Sequence, residues 1–394
     1  MKDNLTKDKS GRLRCSKFKS CGGCSYDFDY SEQLVRKQRK ADRLLSRFGR
    51  VEKIAAMESP YFYRTKVTRV YTRAGNGRLV CGVFKSKSGS CVPVKECMLE
   101  DRRLCEIAFK LADVFTALKI TPYDYRSGRG ELRQVLLKKG SETGEIMLCI
   151  VTNSKALKNK NALVKMICDR FPDVTTIVHN ICKSPMPLTL GDEQQVLYGK
   201  GIIRDTILGK SFKISAKSFM QVNAVQTKKL YSFAKGYLGR ADTLIDAYCG
   251  TGTIGLICCD NVNRLYGTEI VSGAVKDAVQ NAKDNDIKNA EFVCKDAKVF
   301  IKEFLNEGLK ADAVILDPPR AGADRRFLES LIKLAPGKII YISCGIDTLA
   351  RDLCILTKGG YAVKRIQPVD MFAHTTHIEN VVELEKRIKG EKTI

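Results

Sequence analysis

The sequence predicts an α/β protein in which a mixed, mainly antiparallel β domain precedes a doubly wound, Rossmann-like domain. From Tyr61 to about Lys213, apolar and polar residues alternate in runs such as KVTRVYTR, separated by glycine-rich turns. After about Ser215, short apolar strands alternate with helices instead. A G-x-G-x-x-G string that begins at Gly250 follows the first of these strands, and this placement is typical of the ligand-binding turn of doubly wound folds.

Composition places the chain among ordinary globular proteins. Its 394 residues are 44% hydrophobic and 28% charged, and the length suffices for two or three domains with cores of their own. No stretch approaches the ~18 consecutive apolar residues of a membrane span, and the charged N-terminus lacks the apolar segment of a secretory signal. We therefore expect a cytoplasmic monomer without a membrane partner.

The charge of the chain indicates a polyanionic partner. Lys and Arg number 68 against 44 Asp and Glu, a net charge of +24. Basic surfaces bind nucleic acid because phosphate neutralisation releases counterions. Residues 1–53 alone carry 15 basic and 7 acidic side chains, which is the local pattern of a nucleic-acid contact. Charge by itself does not choose between RNA and DNA.

Four segments are predicted along the chain. Residues 1–30 contain few apolar residues besides cysteines and aromatics, so we expect a bound metal to order them. Residues 31–58 contain a basic amphipathic helix that we expect to pack on the catalytic domain. Residues 59–213 form a central β-rich domain, interrupted by two helices, that binds RNA. Residues 214–394 form the doubly wound catalytic domain.

The glycine loop is the first candidate binding site. It opens with Asp246 at the end of one strand, and the next strand ends at Glu269, placed to accept hydrogen bonds from ribose hydroxyls. A nicotinamide dinucleotide and S-adenosylmethionine both fit such a loop, and a tight turn without a ligand is the plain alternative. An acid at the start of the loop suits a cationic sulfonium better than a pyrophosphate, which favours a methyl donor.

Two later strands and a late glutamate supply groups for covalent chemistry. Asp317-Pro-Pro-Arg320 forms a stiff turn, and Cys344 follows the next strand at the same edge of the sheet. A thiolate that adds to carbon 6 of uracil makes carbon 5 nucleophilic, and Glu379 offers a carboxylate for the carbon 5 proton. Alone, such a cysteine is usually a core residue and such a glutamate is usually solvated. The occurrence of the acidic loop, the Pro-Pro turn, the cysteine and the late glutamate in this order favours methylation of uracil.

In these motifs the chain resembles the RNA uracil-5 methyltransferase family, in particular its iron–sulfur members that modify 23S ribosomal RNA. The resemblance covers nearly the whole chain and includes Ser218-Phe-Met-Gln-Val-Asn223 and His377-Ile-Glu379. It implies that Cys344 is the nucleophile, that Glu379 is the base and that Phe219 stacks on the target uracil. It also implies that six residues contact S-adenosylmethionine: Gln221, Tyr248, Thr253, Glu269, Asp296 and Asp317.

Four cysteines form a candidate metal site. Cys15, Cys21 and Cys24 are closely spaced, and Cys97 lies in Val-Lys-Glu-Cys. In a reducing compartment such clusters favour metal binding over disulfides, and four thiolates suit zinc or iron–sulfur equally well. The resemblance implies a [4Fe-4S] cluster bound by these four residues. Because the first ligand is already residue 15, it also implies the short subgroup without a TRAM domain.

The resemblance favours 23S ribosomal RNA over transfer RNA, since the tRNA members of the family generally lack the cluster cysteines. Three alternatives stay open at this point. The chain could methylate uridine in tRNA, it could be a nicotinamide-dependent iron–sulfur oxidoreductase, or it could be a non-catalytic RNA-binding factor that retains the fold. Binding of S-adenosylmethionine rather than NADH tests the oxidoreductase, and covalent trapping of RNA by Cys344 tests the non-catalytic factor. Sequencing the trapped RNA names the modified site.

Overall fold

The structure, a computed structural model, describes residues 4–9, 11–85 and 90–387. The predicted segments 1–30 and 214–394 extend beyond these ranges, and the four predicted domain boundaries stay predictions. The chain forms two compact units. The first comprises Met1–Asp29, Ser59–Thr206 and Lys213–Ala224, and the second comprises Tyr30–Glu58, Ile207–Phe212 and Val225–Ile394.

The regular elements of the described residues are numbered here in chain order. The strands are β1 (Leu5–Lys7), β2 (Leu13–Cys15), β3 (Lys66–Arg73), β4 (Leu79–Phe84), β5 (Cys91–Pro93), β6 (Leu132–Lys139), β7 (Ile146–Thr152), β8 (Val174–Ile181), β9 (Glu193–Tyr198), β10 (Ile203–Ile207), β11 (Lys210–Ile214), β12 (Ala241–Ala247), β13 (Val262–Glu269), β14 (Ala290–Cys294), β15 (Ala313–Leu316), β16 (Lys338–Ser343), β17 (Tyr361–Val369) and β18 (Glu379–Lys386). The helices are α1 (Phe18–Cys21), α2 (Tyr30–Leu45), α3 (Arg102–Ala117), α4 (Lys160–Arg170), α5 (Ala224–Leu238), α6 (Thr253–Cys258), α7 (Ser272–Asp284), α8 (Ala297–Asn306), α9 (Arg325–Leu334) and α10 (Ile346–Lys358).

The first unit is built on a seven-stranded sheet with the order β5-β4-β3-β6-β7-β8-β9. Neighbouring strands are antiparallel except β7 and β8, which are parallel and are joined through α4. A parallel pair needs such a crossover, whereas antiparallel pairs need only a turn. The predicted strand KVTRVYTR coincides with β3, and the two predicted helices are α3 and α4.

The core of the first unit lies on both faces of this sheet. Strand β7 is buried along its whole length, which explains its continuous apolar sequence. On one face, α3 and α4 pack their apolar sides against the sheet. The opposite face is covered by apolar residues that include Ile203 and Ile214. Helix α3 begins where the Asp101 carboxylate accepts the Leu104 N–H at 3.0 Å, a typical N-cap.

The second unit contains a seven-stranded sheet with the order β14-β13-β12-β15-β16-β18-β17. The five strands from β14 to β16 are parallel, and β18 runs antiparallel to both of its neighbours. Successive residues of one strand point to opposite faces, so Ile339 packs in one helix layer and Ile340 in the other. The predicted α/β fold with a doubly wound, Rossmann-like domain is therefore confirmed.

Helix α2 belongs to this second unit. Its residues Ala41 and Leu45 are fully buried in the same apolar layer as α8, α9 and α10. Two short sheets complete the fold, one formed by β1 and β2 and the other by β10 and β11. Within the described ranges, none of the helices has the length and apolar composition that crossing a lipid bilayer requires.

Candidate active site

Acids and a thiol from five strands meet at one edge of the sheet in the second unit. Asp246 and Glu269 lie at the ends of β12 and β13, while Asp317 and Cys344 directly follow β15 and β16. Glu379 opens β18, which runs the opposite way and so starts at the edge where the parallel strands end. The strand order reverses on either side of β12, and open α/β sheets bind ligands at such a switch point.

The loop between β12 and α6 has a backbone that only small residues tolerate well. Gly250 and Gly252 have φ angles of 55° and 77°, in the left-handed region that favours glycine. Tyr248 lies in the same region with a φ of 65°, although it carries a side chain. A Cβ on Gly252 would lie 2.9 Å from Cζ of Phe292, so the loop is held close to the neighbouring strand. A strained non-glycine residue in such a loop is typical of functional sites.

Asp246 is the buried acid of this loop. One carboxylate oxygen accepts the Gly255 N–H at 2.9 Å, while the other is buried and has no hydrogen-bond partner among the residues that the structure describes. The pKa of Asp246 is raised to about 7, mainly by burial, and the negative charges of Asp317 and Glu269 contribute to this increase. A cationic ligand with hydrogen-bond donors would relieve both the burial penalty and the repulsion.

The remaining predicted ligand contacts lie around this loop. Glu269 accepts the Gly250 N–H at 3.2 Å, so it fixes the loop and keeps lone pairs for hydroxyl donors. Asp296 caps α8 by accepting a backbone N–H of the first turn at 2.9 Å. Thr253 opens α6, with its hydroxyl 3.2 Å from that of Thr251. The structure brings these side chains to one sheet edge, and their contacts with a cofactor remain predictions.

Cys344 and Glu379 are neighbours across two antiparallel strands. Ser343, the last residue of β16, pairs with Asn380 on β18. Cys344 directly follows Ser343, and Glu379 directly precedes Asn380. The pKa of Cys344 is raised to about 11, mainly by burial, and the negative charges of Glu379 and Asp317 are part of this increase. A thiol and a carboxyl group therefore face one reaction volume from opposite strands.

Glu379 is almost fully buried, with 4% of its surface exposed. Its pKa is raised to about 8, mainly by burial and also by the negative charge of Asp317, while the Arg320 guanidinium opposes the shift. Arg320 also lowers the pKa of Cys344. A carboxyl group whose pKa lies near neutrality can both take and return a proton, which suits a general base.

Helix α2 fixes the segment that leads into Glu379. The Lys37 ammonium donates to Asp370 at 2.6 Å and to the Phe372 carbonyl at 2.9 Å. Gln33 accepts the backbone N–H of His374 at 2.7 Å. Sequence reasoning missed these roles, although Gln33 and Lys37 share a helical face with the buried residues Ala41 and Leu45. The sequence signal for these roles is that the two polar side chains recur at the same helical spacing as the buried apolar residues.

We expect Lys37→Met to lower the free energy of unfolding by about 3–5 kcal/mol, because it leaves the Asp370 carboxylate buried without its cation. Both side chains of this pair are 0% exposed. Urea denaturation of the full chain measures the change. Lys37→Met combined with Asp370→Leu is the matched control and should recover most of the loss. A loss below about 1 kcal/mol in the single variant would contradict this account.

Phe219 and Gln221 lie in the first unit, on the segment Lys213–Ala224. Phe219 is 74% exposed, which is unusual for a large aromatic side chain. Such exposure is compatible with a side chain that stacks on a bound ligand. The buried Lys138 ammonium donates to the carbonyls of Ser215 and Ser218 at 2.8 and 2.7 Å, so this segment is anchored directly beside Phe219. The predicted binding roles of Phe219 and Gln221 remain predictions.

The four predicted metal ligands line one cavity in the first unit. The cavity has a volume of about 380 Å³, and its walls include Cys15, Cys21, Cys24 and Cys97. The side chain of Asn4 ties the N-terminal segment to the segment before Cys97, since its oxygen accepts the Lys95 and Glu96 N–H groups at 3.1 and 3.0 Å, and its amide donates to the Glu96 carbonyl. The structure thus brings together cysteines that are up to 82 positions apart in the sequence.

In the described part of the chain, no three His, Cys, Asp or Glu side chains lie close enough together to hold a metal ion. The predicted four-cysteine cluster site is therefore not shown as a metal site. A single zinc ion would hold all its thiolates at about 2.3 Å from one centre. The arrangement around this cavity does not have that geometry.

Comparison with known proteins identifies related sequences over almost the whole chain. The profile of the family described as tRNA (uracil-5-)-methyltransferase matches residues 193–387. An uncharacterized RNA methyltransferase of Clostridium acetobutylicum is 38% identical over 383 residues, which cover 94% of this chain and 83% of that protein. A second, from Halalkalibacterium halodurans, is 38% identical over 379 residues and covers 94% and 82%.

A solved structure is similar over the same extent. The tRNA (uracil-54, C5)-methyltransferase of Pyrococcus abyssi, in complex with S-adenosyl-L-homocysteine, superposes with a TM-score of 0.77. The two sequences are 25% identical, and the match covers 98% of this chain and 92% of that one. Both units of this chain thus have counterparts in one solved enzyme.

Proposed function

Because the chain belongs to the RNA uracil-5 methyltransferase family, an S-adenosylmethionine-dependent family, we propose that it methylates carbon 5 of a specific uridine in 23S ribosomal RNA. One observation carries the proposal for the chemistry. Cys344 and Glu379 flank the paired residues Ser343 and Asn380 at the sheet edge that also carries the buried acids of the glycine loop, and the charge of Glu379 acts on the Cys344 thiol. This arrangement offers a nucleophile and a base for the same ring.

The acid site fits S-adenosylmethionine. The buried oxygen of Asp246 that lacks a described partner, and the repulsion among Asp246, Asp317 and Glu269, suit a ligand that carries positive charge and hydroxyl groups. Gln221, Tyr248, Thr253, Glu269, Asp296 and Asp317 are the residues proposed to hold it. When bound, the ligand supplies an electrophilic methyl group on its sulfonium. Phe219 is proposed to stack on the uracil.

The reaction needs three covalent steps on the uracil ring. Cys344 loses its thiol proton to water and adds as a thiolate to carbon 6, which places negative charge on carbon 5 and the adjacent carbonyl. Carbon 5 then bonds to the methyl carbon of the donor as the bond from that carbon to the sulfonium sulfur breaks, which would leave the donor as a neutral thioether. Glu379 removes the remaining carbon 5 proton, the bond from carbon 6 to sulfur breaks, and the ring double bond is restored. The net result is one methyl group transferred and one proton released.

The choice of RNA rests on the resemblance carried by the four cysteines, and transfer RNA is the second candidate. The matching Pyrococcus abyssi enzyme acts on tRNA, which favours that alternative. We would incubate the full chain with methyl-labelled S-adenosylmethionine and separate transcripts of 23S rRNA, 16S rRNA and tRNA. Label in 5-methyluridine from 23S rRNA is the expected result. Label from tRNA alone would select the second candidate, and NADH binding without any methylation would overturn the proposal.

We expect the affinity for S-adenosylmethionine to increase as pH rises through about 7. Burial raises the pKa values of Asp246 and Asp317 to about 7, so at lower pH a cationic ligand must displace a proton. For one proton released on binding, Kd rises up to about tenfold per pH unit below 7. Calorimetry at pH 6 and 8 measures this. Asp246→Asn should reduce the dependence to the part that comes from Asp317. Equal wild-type Kd values at both pH values would contradict the prediction.

The proposal includes a [4Fe-4S] cluster bound by Cys15, Cys21, Cys24 and Cys97. Their shared cavity supports it, because each thiolate of such a cluster binds a different iron and the ligands stand farther apart than those of a single ion. The Leu99 N–H also points to the Cys97 sulfur at 3.5 Å, a contact that favours a thiolate.

Metal analysis of protein purified without oxygen tests the cluster. We expect about four iron and four sulfide ions per chain, lost in Cys24→Ser and retained in Cys294→Ser, an exposed cysteine of the other unit. We also expect Cys24→Ser to leave the affinity for S-adenosylmethionine nearly unchanged. Stoichiometric zinc without iron would overturn the cluster assignment.

A further inference from the structure

The first unit contains a second, larger cavity that neither the proposed reaction nor the cysteine site uses. Its volume is about 720 Å³, which is in the range of small-ligand pockets. It lies between the end of β3, the start of β5 and the loop that precedes β6. The charged side chains that line it, among the described residues, are four arginines and one aspartate: Arg73, Arg126, Arg129, Arg133 and Asp124.

Aromatic rings form the wall of this cavity. The rings of Tyr123 and Tyr125 meet edge to face at 5.0 Å, and Phe84 packs edge to face on Tyr125 at 5.3 Å. The Arg133 guanidinium lies over both tyrosine rings at 4.7 and 4.8 Å. It also donates to the Ser184 carbonyl at 2.6 Å, so this buried cation holds the rings in place.

The loop that carries the tyrosines is rigid. Asp124 and Arg129 pair across it, with the Asp124 N–H donating to the Arg129 carbonyl at 2.7 Å. The Asp124 carboxylate accepts the Arg126 N–H and the Ser127 hydroxyl at 2.8 and 3.1 Å. Gly130 has a φ of 98°, and a Cβ there would lie 2.0 Å from the Pro122 carbonyl oxygen. The Asp124 carboxylate thus accepts hydrogen bonds within the loop, and Arg126 and Arg129 are exposed side chains that line the cavity.

We infer that this cavity binds an unpaired nucleotide of the RNA substrate, at a position separate from the methylated uridine. Fixed aromatic rings next to arginines are the means by which proteins hold single-stranded RNA, since rings stack on bases and guanidinium groups bind phosphates. The inference rests on the proposed function for the identity of the nucleic acid. It assigns Tyr123 to the base and Arg126 and Arg129 to the phosphates.

Binding of a fluorescent single-stranded RNA to the full chain, followed by anisotropy at several salt concentrations, tests the arginines. We expect Arg126→Ala/Arg129→Ala to reduce the slope of log K against log salt by about 1.4, since each phosphate contact on a single strand contributes about 0.7. Lys158→Ala/Lys160→Ala removes the same charge from the same unit outside the cavity and is the matched control. Equal changes in both variants would overturn the inference.

Substitutions of Tyr123 test the base contact. We expect Tyr123→Leu to weaken binding of the single strand roughly 5- to 100-fold, while Tyr123→Phe, which keeps the ring, binds like the wild type. A duplex of the same sequence should not respond, because its bases are already stacked. Melting curves and S-adenosylmethionine affinity check that Tyr123→Leu is folded. Equal binding of the single strand by the Leu and Phe variants would overturn the inference.

These measurements do not depend on methyl transfer. If the cavity variants lose RNA binding as expected but the protein makes no 5-methyluridine, the cavity assignment holds and the proposed function is wrong. If the protein methylates RNA and all cavity variants bind RNA like the wild type, the proposed function holds and the cavity assignment is wrong.

Discussion

Cys344→Ala is expected to abolish methyl transfer, with a loss on the order of 10⁴-fold or more, because no other group can activate carbon 5 by addition to carbon 6. The change removes a partly buried thiol at the end of β16 and no hydrogen bond of the strand itself. S-adenosylmethionine affinity should stay near the wild-type value. Release of labelled 5-methyluridine from the RNA substrate measures the rate.

RNA that contains 5-fluorouridine gives a second measurement for Cys344. Fluorine replaces the carbon 5 proton, so elimination stalls and the wild-type enzyme should form an adduct that resists denaturation. Cys344→Ala should form none, and Cys354→Ala, a half-exposed cysteine on α10, is the matched control that should form it normally. An adduct that persists without the Cys344 sulfur would rule out this nucleophile.

Glu379→Gln is expected to slow turnover about 10²- to 10⁴-fold, the usual range for loss of a general base. The amide keeps the size of the side chain but cannot take the carbon 5 proton. Cys344 can still add and carbon 5 can still be methylated, so the reaction should stop at a methylated covalent adduct. Denaturing gels of reactions with ordinary uridine RNA would detect it as a shifted band.

Glu383→Gln is the control for Glu379, since Glu383 is also a buried glutamate of β18 but forms an ion pair with Arg365 outside the site. It should give no adduct. The Glu379→Gln adduct should also require S-adenosylmethionine and Cys344. A variant with slow turnover and no adduct would move the role of Glu379 to the addition step, and a variant with normal turnover would remove Glu379 from the mechanism.

The sequence pattern of the individual strands was sufficient to predict which edge of the sheet carries the candidate site. Short apolar strands that end in an acid or a thiol place Asp317 and Cys344 at the same edge in any doubly wound fold, because parallel strands share a direction. The pairing of Cys344 with Glu379 also depends on β18 running antiparallel between β16 and β17. That register joins residues 35 positions apart, and periodicity in one strand does not encode it.

The distant partners of buried polar groups were beyond the reach of pattern analysis. Lys37 belongs to a helix whose sequence is basic, and such residues are ordinarily read as solvated. Its burial depends on Asp370, 333 positions later, as a partner. The Tyr123 loop is similar, since its sequence shows a glycine-rich turn but its rigidity comes from Arg133 and the neighbouring strands. Such sites need the tertiary structure because their stability comes from distant residues.

Among the described strands, β18 is the last that the ribosome synthesises, so the side chain of Glu379 becomes available after the other groups of the candidate site. Asp246, Asp317 and Cys344 leave the ribosome before Glu379, and the sheet stays open between β16 and β17 until β18 inserts. Under the proposed mechanism, a nascent chain that lacks this strand would have the nucleophile Cys344 without the base Glu379. Such a chain would be able to form the covalent bond to RNA but not to complete the elimination that releases it.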